Sequence, residues 1–318
     1  MKLLITGAGG FVGSAIVRVA LARGHEVTVL SRPDSSQRRL ADVATRVRIA
    51  LLRTTSPLGL REVVSDHAPD AVIHAGWHGV EGGARQDLQQ VTVNVPFAVG
   101  LAAAARASAC PVFLGLGSQA EYGPHQEVIS EDTATQPVTL YGAAKLAVAH
   151  ALSAQLASTR TRFVWLRIFS SYGPDDNPGV MLTYLVRALI AGERPELTAC
   201  EQRWDFVFVD DVAAAALDLV QTETATGIFN VGSGEAILLR SILEGVRDMI
   251  DPALPLGFGA RAYGESQVMR LQADVSRLVK ATGWSPRVTL DDGLRRTVRA
   301  ERARSDASAT LQSPLNAR

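Results

Sequence analysis

The stretch ITGAGGFVG, Ile5–Gly13, governs how the rest of the chain is read. An apolar run, Lys2–Thr6, leads into it, and an amphipathic run, Phe11–Arg23, leads out. Gly7, Gly10 and Gly13 sit at GxxGxxG spacing between the two. Glycine accepts the tight turn that such a junction needs and lets backbone N–H groups approach a phosphate. A helix N-terminus adds partial positive charge, and Gly13 lets that helix pack closely on the strand. Glycine spacing alone is a weak signal. Placed between a strand and a helix it predicts a pyrophosphate loop, with Phe11 and Val12 completing its contacts. A glycine-rich turn without a ligand is the alternative.

The same alternation continues through the first half. Lys2–Thr6, Glu26–Leu30, Arg46–Leu51, Ala71–Ala75, Val112–Leu116 and Phe163–Ile168 are short apolar runs, continuous rather than alternating. Parallel strands covered on both faces have that character. Helical patterns lie between them at Phe11–Arg23, Pro57–His67, Leu88–Ala107 and Leu140–Ser158. This predicts an α/β fold with a doubly wound parallel Rossmann sheet. Later come a helix at Met181–Ala191, a strand at Asp205–Val209, a helix capped by Asp210 or Asp211, and a strand in GIFNVG. The expected division is a dinucleotide domain over 1–170, rejoined by 206–235. A smaller C-terminal α/β substrate lobe takes 171–205 and 236–300, and the polar segment 301–318 reads as a disordered tail.

Composition narrows the function classes. The chain has 318 residues, 47% hydrophobic and 20% charged, with a formal net charge of zero. That balance suits a globular protein with a sizeable core. It offers no electrostatic reason to expect nucleic acid or an anionic membrane as partner. The two cysteines, Cys110 and Cys200, show no metal-ligand spacing, so no metal is expected. They suit a reducing compartment, and the expectation is a cytoplasmic protein.

Behind the second strand stand Ser31 and Arg32, where a site selective for NAD carries Asp or Glu for the ribose hydroxyls. Arginine can hold a 2′-phosphate, and an acid would repel it. NADP(H) is therefore favoured, with NAD(H) possible. Asp34 lies beyond the proline and does not decide the matter. Arg32 as a solvated loop residue remains open.

GSQAEYG, Gly117–Gly123, and YGAAK, Tyr141–Lys145, supply chemistry to go with a dinucleotide. A carbonyl that accepts hydride also needs a proton. A tyrosine can give one, and a lysine at i+4 on the same helical face stabilises the phenolate. Ser118, at the carboxyl end of the fifth strand, can hydrogen-bond the substrate oxygen. Open α/β sheets bind ligands at that end. YxxxK alone also describes a surface tyrosine beside a solvated lysine; the company of the phosphate loop and Ser118 favours the catalytic reading.

Taken together these motifs resemble the extended short-chain dehydrogenase/reductase family, in its branch acting on nucleotide sugars. VIHAGW, GSQAEYG, YGAAK, RIFSSYGP, WDFVFVDDV and ADVSRLVKATGWSP all match segments of that branch. The resemblance implies Ser118, Tyr141 and Lys145 as the catalytic set. It implies His74, Ala75, Gly76, Asn94 and Phe169 as further cofactor contacts, with Tyr141 and Lys145 also touching the cofactor. It implies a nucleotide-diphosphate sugar in the C-terminal lobe and a homodimer. Ser170, Trp204 and Arg53 depart from the branch's usual residues.

Within the branch, dehydratases carry an Asp–Glu pair where this chain has Gln119 and Ala120. Neither can cycle a proton, and Glu121 comes one position late. Epimerase and ketoreductase share the serine–tyrosine–lysine set. A reductase exchanges its coenzyme and usually draws on NADPH, so Ser31–Arg32 tilts toward reduction of a nucleotide-diphosphate 4-keto-6-deoxyhexose. An NAD-dependent epimerase and a non-catalytic NADP(H)-sensing protein remain as alternatives. Trp77, His78, Gln119, Asn177, Arg203 and Arg261 are the candidate substrate contacts, with Arg270 a further cation. Surface roles fit each arginine equally well, and turn chemistry fits Asn177.

Overall fold

The computed structural model describes residues 1–264 and 267–312. Six strands alternate with helices: β1 (Lys2–Thr6), β2 (Glu26–Ser31), β3 (Arg48–Leu51), β4 (Ala71–His74), β5 (Val112–Ser118) and β6 (Arg162–Ile168). The intervening helices are α1 (Phe11–Ala22), α2 (Pro57–His67), α3 (Val95–Ala107) and α4 (Leu140–Leu156). With β9 (Gly227–Val231) the strands form a seven-stranded parallel sheet in the order β3-β2-β1-β4-β5-β6-β9. The order reverses between β1 and β4, which opens a crevice at their carboxyl ends. The doubly wound sheet expected from the apolar runs is present.

The continuous apolar character of the strands has its cause in burial on both faces. Leu3 and Ile5 enter one core cluster, shared with α1, and Leu4 enters the other, shared with α2, α3 and α4. Truncating Leu4 to alanine would cost about 2–5 kcal/mol.

The second lobe is built around β8 (Arg203–Phe208), which pairs with β7 (Ser170–Tyr172), β10 (Ala236–Leu238) and β11 (Arg270–Leu271). Its core joins α5 (Met181–Ile190), α7 (Leu239–Ile250) and α9 (Leu290–Gln312) through Leu185, Leu243, Leu294 and Val298. β8 runs straight into α6 (Val209–Gln221), which packs on α1 and returns the chain to the large sheet. Strand β8 therefore belongs to the small sheet, although the expected division places part of it in the dinucleotide domain. The short α8 (Ser276–Thr282) packs beside α6.

Three local expectations need correction. Helix α6 starts at Val209, with no side chain capping it. Asp211 instead accepts from the backbone N–H groups of Arg287 and Val288, each at 3.0 Å, so its carboxylate clamps a distant segment. The stretch before α3 is not regular helix. Gln90–Asn94 forms a wider π turn ahead of Pro96, whose ring nitrogen cannot donate. Finally, α9 continues to Gln312 through residues whose composition reads as a disordered tail. Glu301 is buried there, and Arg187 and Arg304 pair with it. Polar composition hid a helix that is anchored along one face. Residues 313–318 lie outside the described residues.

Candidate active site

The first wall of the crevice is the β1–α1 loop. Gly7 has φ of +67°, and a Cβ there would stand 2.4 Å from the Gly76 nitrogen. A Cβ on Gly13 would stand 2.2 Å from the Gly7 oxygen. Both positions therefore require glycine: the loops after β1 and β4 touch backbone to backbone, and α1 is pressed onto its own entry turn. No side chain caps the α1 N-terminus, as a phosphate-binding cradle requires.

Thr6 and His74 sit opposite one another in the β1–β4 register. Thr6 Oγ1 lies 2.8 Å from His74 Nδ1 and also accepts from the Gly76 N–H at 3.2 Å. Burial, and then the charge of Lys145, push the His74 imidazole down to about 3, so it stays neutral. His74 thus pins the crevice from within; what this segment offers a ligand is the backbone at Ala75 and Gly76.

The second wall carries the three residues singled out by sequence, and the structure brings them together. Ser118 ends β5 and caps the single 3-10 turn Gln119–Glu121: its Oγ accepts from the Ala120 N–H at 3.2 Å. Thr139 caps α4 by accepting from the Gly142 N–H at 3.1 Å. A Cβ on Gly142 would lie 2.3 Å from the Ala120 oxygen, so this glycine lets the first turn of α4 press against the end of β5. Tyr141 is thereby set beside Ser118. Burial raises the Tyr141 phenol above its ordinary value; the Ser118 hydroxyl and Arg85 oppose that, and Glu121 adds to it. The net direction is upward, against the lowering expected from Lys145.

Lys145 is buried and reaches elsewhere. Its Nζ donates to the Leu116 carbonyl at 2.6 Å and lies 3.7 Å from the centroid of the Trp77 ring. The Tyr141 ring is 5.8 Å away. Burial pulls the Lys145 amine down to about 7, and Glu121 resists. The Trp77 face also favours the ammonium form.

Beneath this wall lies an ion pair that no sequence motif announces. Arg167 Nε donates to Glu121 Oε2 at 2.7 Å, with both side chains buried. Glu121 also accepts from Trp165 Nε1 at 3.0 Å and from the Ser118 N–H at 2.9 Å. The glutamate of GSQAEYG is thus locked to the arginine of RIFSSYGP and faces the core. A satisfied buried pair of this kind is costly to break, at about 3–5 kcal/mol if one partner is removed.

The loop after β4 forms the roof. Gln90 Nε2 donates to the carbonyls of His78, Gly79 and Ala84, at 3.2, 2.5 and 2.8 Å. Gln90 Oε1 accepts from Trp77 Nε1 at 2.7 Å and from Asn94 Nδ2 at 3.2 Å. Asn94 spends its remaining groups on the His78 backbone, at 2.9 Å each way. Asn94 therefore anchors the loop. Gln90 gave no sequence signal, because its role depends on carbonyls gathered from a folded loop.

The other expected contacts scatter. Phe169 is buried in a cluster with Tyr122, Ile129, Leu271 and Ala273. Ser31 accepts from Gln37 Nε2 at 2.6 Å, while the Arg32 side chain is 62% exposed with Asp34 3.8 Å away. Asn177 accepts from Arg39 Nη2 at 2.6 Å, and the same guanidinium reaches the Asp175 and Gly9 carbonyls, tying the second lobe to the β1–α1 loop. Gln119 is partly exposed beside Ser118, and the His78 side chain is exposed. Arg203 is exposed and bonds the Ala236 carbonyl; Arg261 is exposed with Glu196 3.5 Å away. Arg270 donates to Gln272 at 2.8 Å.

A model of the NAD dependent epimerase/dehydratase family matches residues 3–232. The chain belongs to that family. It is 26% identical to the UDP-glucose 4-epimerase of Corynebacterium glutamicum over 308 residues, spanning 91% of this chain and 92% of the relative. It is also 26% identical to a dTDP-4-dehydro-6-deoxyglucose reductase of Escherichia coli over 319 residues, spanning 95% and 98%. Among solved structures it is similar to Thermus thermophilus UDP-glucose 4-epimerase in complex with NAD. That match has a TM-score of 0.82 and 27% identity, covering 95% of this chain and 99% of the other. The resemblance to the nucleotide-sugar branch of the extended short-chain dehydrogenases/reductases holds, and epimerases and reductases stand side by side among the relatives. Among the described residues no helix is long and apolar enough to cross a membrane.

Proposed function

We propose that the protein reduces the C4 ketone of a nucleotide-diphosphate 4-keto-6-deoxyhexose, with NADPH as preferred coenzyme. The observation that carries this reading is the convergence of Ser118, Tyr141 and Lys145 at the end of β5 while Glu121 is sealed against Arg167. Proton transfer is supplied, and the carboxylates that eliminate water are not. The glycine cradle at Gly7 and Gly13 fits a dinucleotide pyrophosphate. The absence of an acid at Ser31–Arg32 favours a 2′-phosphate.

NADPH, when bound, supplies hydride. Ser118 orients the ketone oxygen, and Tyr141 gives it a proton as hydride arrives. The raised tyrosine keeps its proton at neutral pH, which suits an acid better than a base. Lys145 keeps its amine against the Trp77 ring. The domain division, the substrate contacts at Gln119 and Asn177, the homodimer and the cytoplasmic location remain part of this proposal.

A second reading, nucleotide-sugar 4-epimerisation with NAD, is favoured by the 27% identity to the Thermus enzyme over almost its whole length. One experiment separates the two. Purified protein is mixed with NADPH or NADH and a panel of CDP-, dTDP- and GDP-4-keto-6-deoxyhexoses, and products are resolved by NMR. A reductase consumes reduced coenzyme as product forms. An epimerase interconverts sugars with no net change in coenzyme absorbance, and an NADP(H) sensor does neither. Tyr141→Phe should lower turnover by about a thousandfold and leave coenzyme affinity nearly unchanged. Normal turnover in that variant would remove Tyr141 from the mechanism.

A further inference from the structure

Lys145 is buried, and an ammonium has three protons to place. The one hydrogen bond found for it among the described residues runs from Nζ to the Leu116 carbonyl at 2.6 Å. Glu121, which bears on it electrostatically, is spent on Arg167. What else meets Nζ is a ring: the Trp77 centroid lies 3.7 Å away. Trp77 stands three residues beyond His74, which ends β4 and pairs with Gly115, the β5 residue before Leu116. Its indole is fixed from the far side. Trp77 Nε1 donates to Gln90 Oε1 at 2.7 Å, and the Gln90 amide nitrogen is held by the His78, Gly79 and Ala84 carbonyls. The same indole meets the Tyr141 ring at 85°, with centroids 6.2 Å apart. Two neighbours thus keep the ring from swinging off the lysine.

We propose that Trp77 is a positioning residue that holds Lys145 in its place as the ammonium, with Gln90 fixing the indole. This deepens the proposed function, since it rests on Lys145 as a member of the proton-transferring set. Burial strips an amine of hydration and so favours its neutral form. The electron-rich face of an indole attracts a cation, and does so more strongly away from bulk water. The Trp77 face therefore offsets part of what burial takes from the ammonium. A tyrosine–lysine pair needs that charge, because an ammonium on the same helical face favours the phenolate. The other groups facing Nζ come from four elements. His74 on β4 is neutral, Glu121 follows β5, Tyr141 lies one turn earlier on α4, and the Trp165 ring of β6 is 5.9 Å away. Trp165 Nε1 is given to Glu121, so the more distant indole is already tied to the ion pair.

The test reads Lys145 directly. The lysines of the chain are Lys2, Lys145 and Lys280, so labelling lysine Cε with carbon-13 gives an NMR spectrum that can be assigned. Lys2→Arg and Lys280→Arg, both at exposed positions, identify the Lys145 signal by elimination. In the parent chain the Lys145 methylene protons should lie upfield of those of the other two lysines, because the indole shields what sits against its face. The Lys145 titration midpoint should fall by about one pH unit in Trp77→Leu. Trp77→Phe keeps an aromatic face and should retain the greater part of the parent value. Thermal unfolding confirms that the compared chains are folded, and the upfield shift needs no change at Trp77. Absence of that shift overturns the proposal. So does one midpoint shared by parent and Trp77→Leu, or an equal fall in Trp77→Leu and Trp77→Phe, which would trace the effect to packing alone. Neither sugar nor coenzyme enters, so failure here is distinguishable from failure of the keto-sugar assay.

Discussion

The loop after β1 and the loop after β4 meet backbone to backbone at Gly7 and Gly76, yet they are held by different means. The first is shaped by what its residues lack. Gly7 and Gly13 stand where a Cβ would strike main-chain atoms, and α1 closes on its own entry turn for that reason. The second is shaped by what its residues have. The Gln90 amide gathers three carbonyls and two donors, Asn94 grips His78, and Trp77 and Arg85 are thereby aimed at Lys145 and Tyr141. A backbone-shaped loop suits a ligand group without side-chain-specific features, such as a pyrophosphate. A loop shaped by side chains is the place where residues near the reacting atoms can vary.

This contrast can be broken by substitution, and the largest effect is expected at Gly13. Gly13→Val places side-chain atoms into the Gly7 carbonyl and should weaken coenzyme binding by about a hundredfold or more, with about 1–3 kcal/mol of lost stability. Fluorescence titration with NADPH measures it; near-parent affinity would mean that this loop is not the phosphate site.

Gln90→Ala comes next. Removing an amide that satisfies several buried groups should cost about 2–3 kcal/mol in urea unfolding. It should lower turnover through Tyr141 and Lys145 while coenzyme affinity falls far less than in the Gly13 variant. Equal loss of affinity in the two variants would erase the distinction between the loops.

His74 lies at the seam between them and makes an acid-dependent contribution. Its folded pKa is depressed to about 3 from 6.5, so the unfolded chain binds a proton that the folded chain refuses. The stability that His74 contributes is complete above the unfolded value and declines as pH falls below it. Between pH 7 and pH 5 the loss should be about 2 kcal/mol. His74→Gln lacks that dependence, so the stability gap between parent and variant should narrow by this amount over the interval. A gap that stays constant would mean that His74 titrates normally.

The smallest effect is expected at Arg32, an exposed side chain beyond β2. Arg32→Ala should shift the preference between NADPH and NADH by about tenfold, the low end for an interaction with a charged group. Equal affinities before and after would give the 2′-phosphate no partner at this position.

Legibility in the sequence followed range of interaction. The parallel strands were readable because burial on both faces writes a continuous apolar run into each. Pro57–His67 was readable because its amphipathic spacing acts locally, and the helix found there has those bounds. Tyr141 and Lys145 were readable as a spacing, and Gly142 between them explains how α4 closes on Ala120. The direction of Lys145 was not, since it depends on Leu116 and Trp77 arriving from β5 and from the loop after β4. The same holds for the two acids of WDFVFVDDV that clamp backbone. Asp205 accepts from the Ser233, Gly234 and Ala273 N–H groups, and Asp211 from Arg287 and Val288, far along the chain.

The chain's own order of residues determined the fold class, the glycine-spaced turn after β1 and the presence of a serine, a tyrosine and a lysine at their spacing. Each of these follows from periodicity or from steric demands within one turn or one strand. Tertiary structure alone decided that Glu121 faces inward to Arg167, that Asn94 anchors a loop, that Trp77 receives the lysine and that Arg85 stands against the tyrosine. Charge and hydrogen bonding act through space, and the partners they select are separated in sequence by whatever length of chain the fold happens to close.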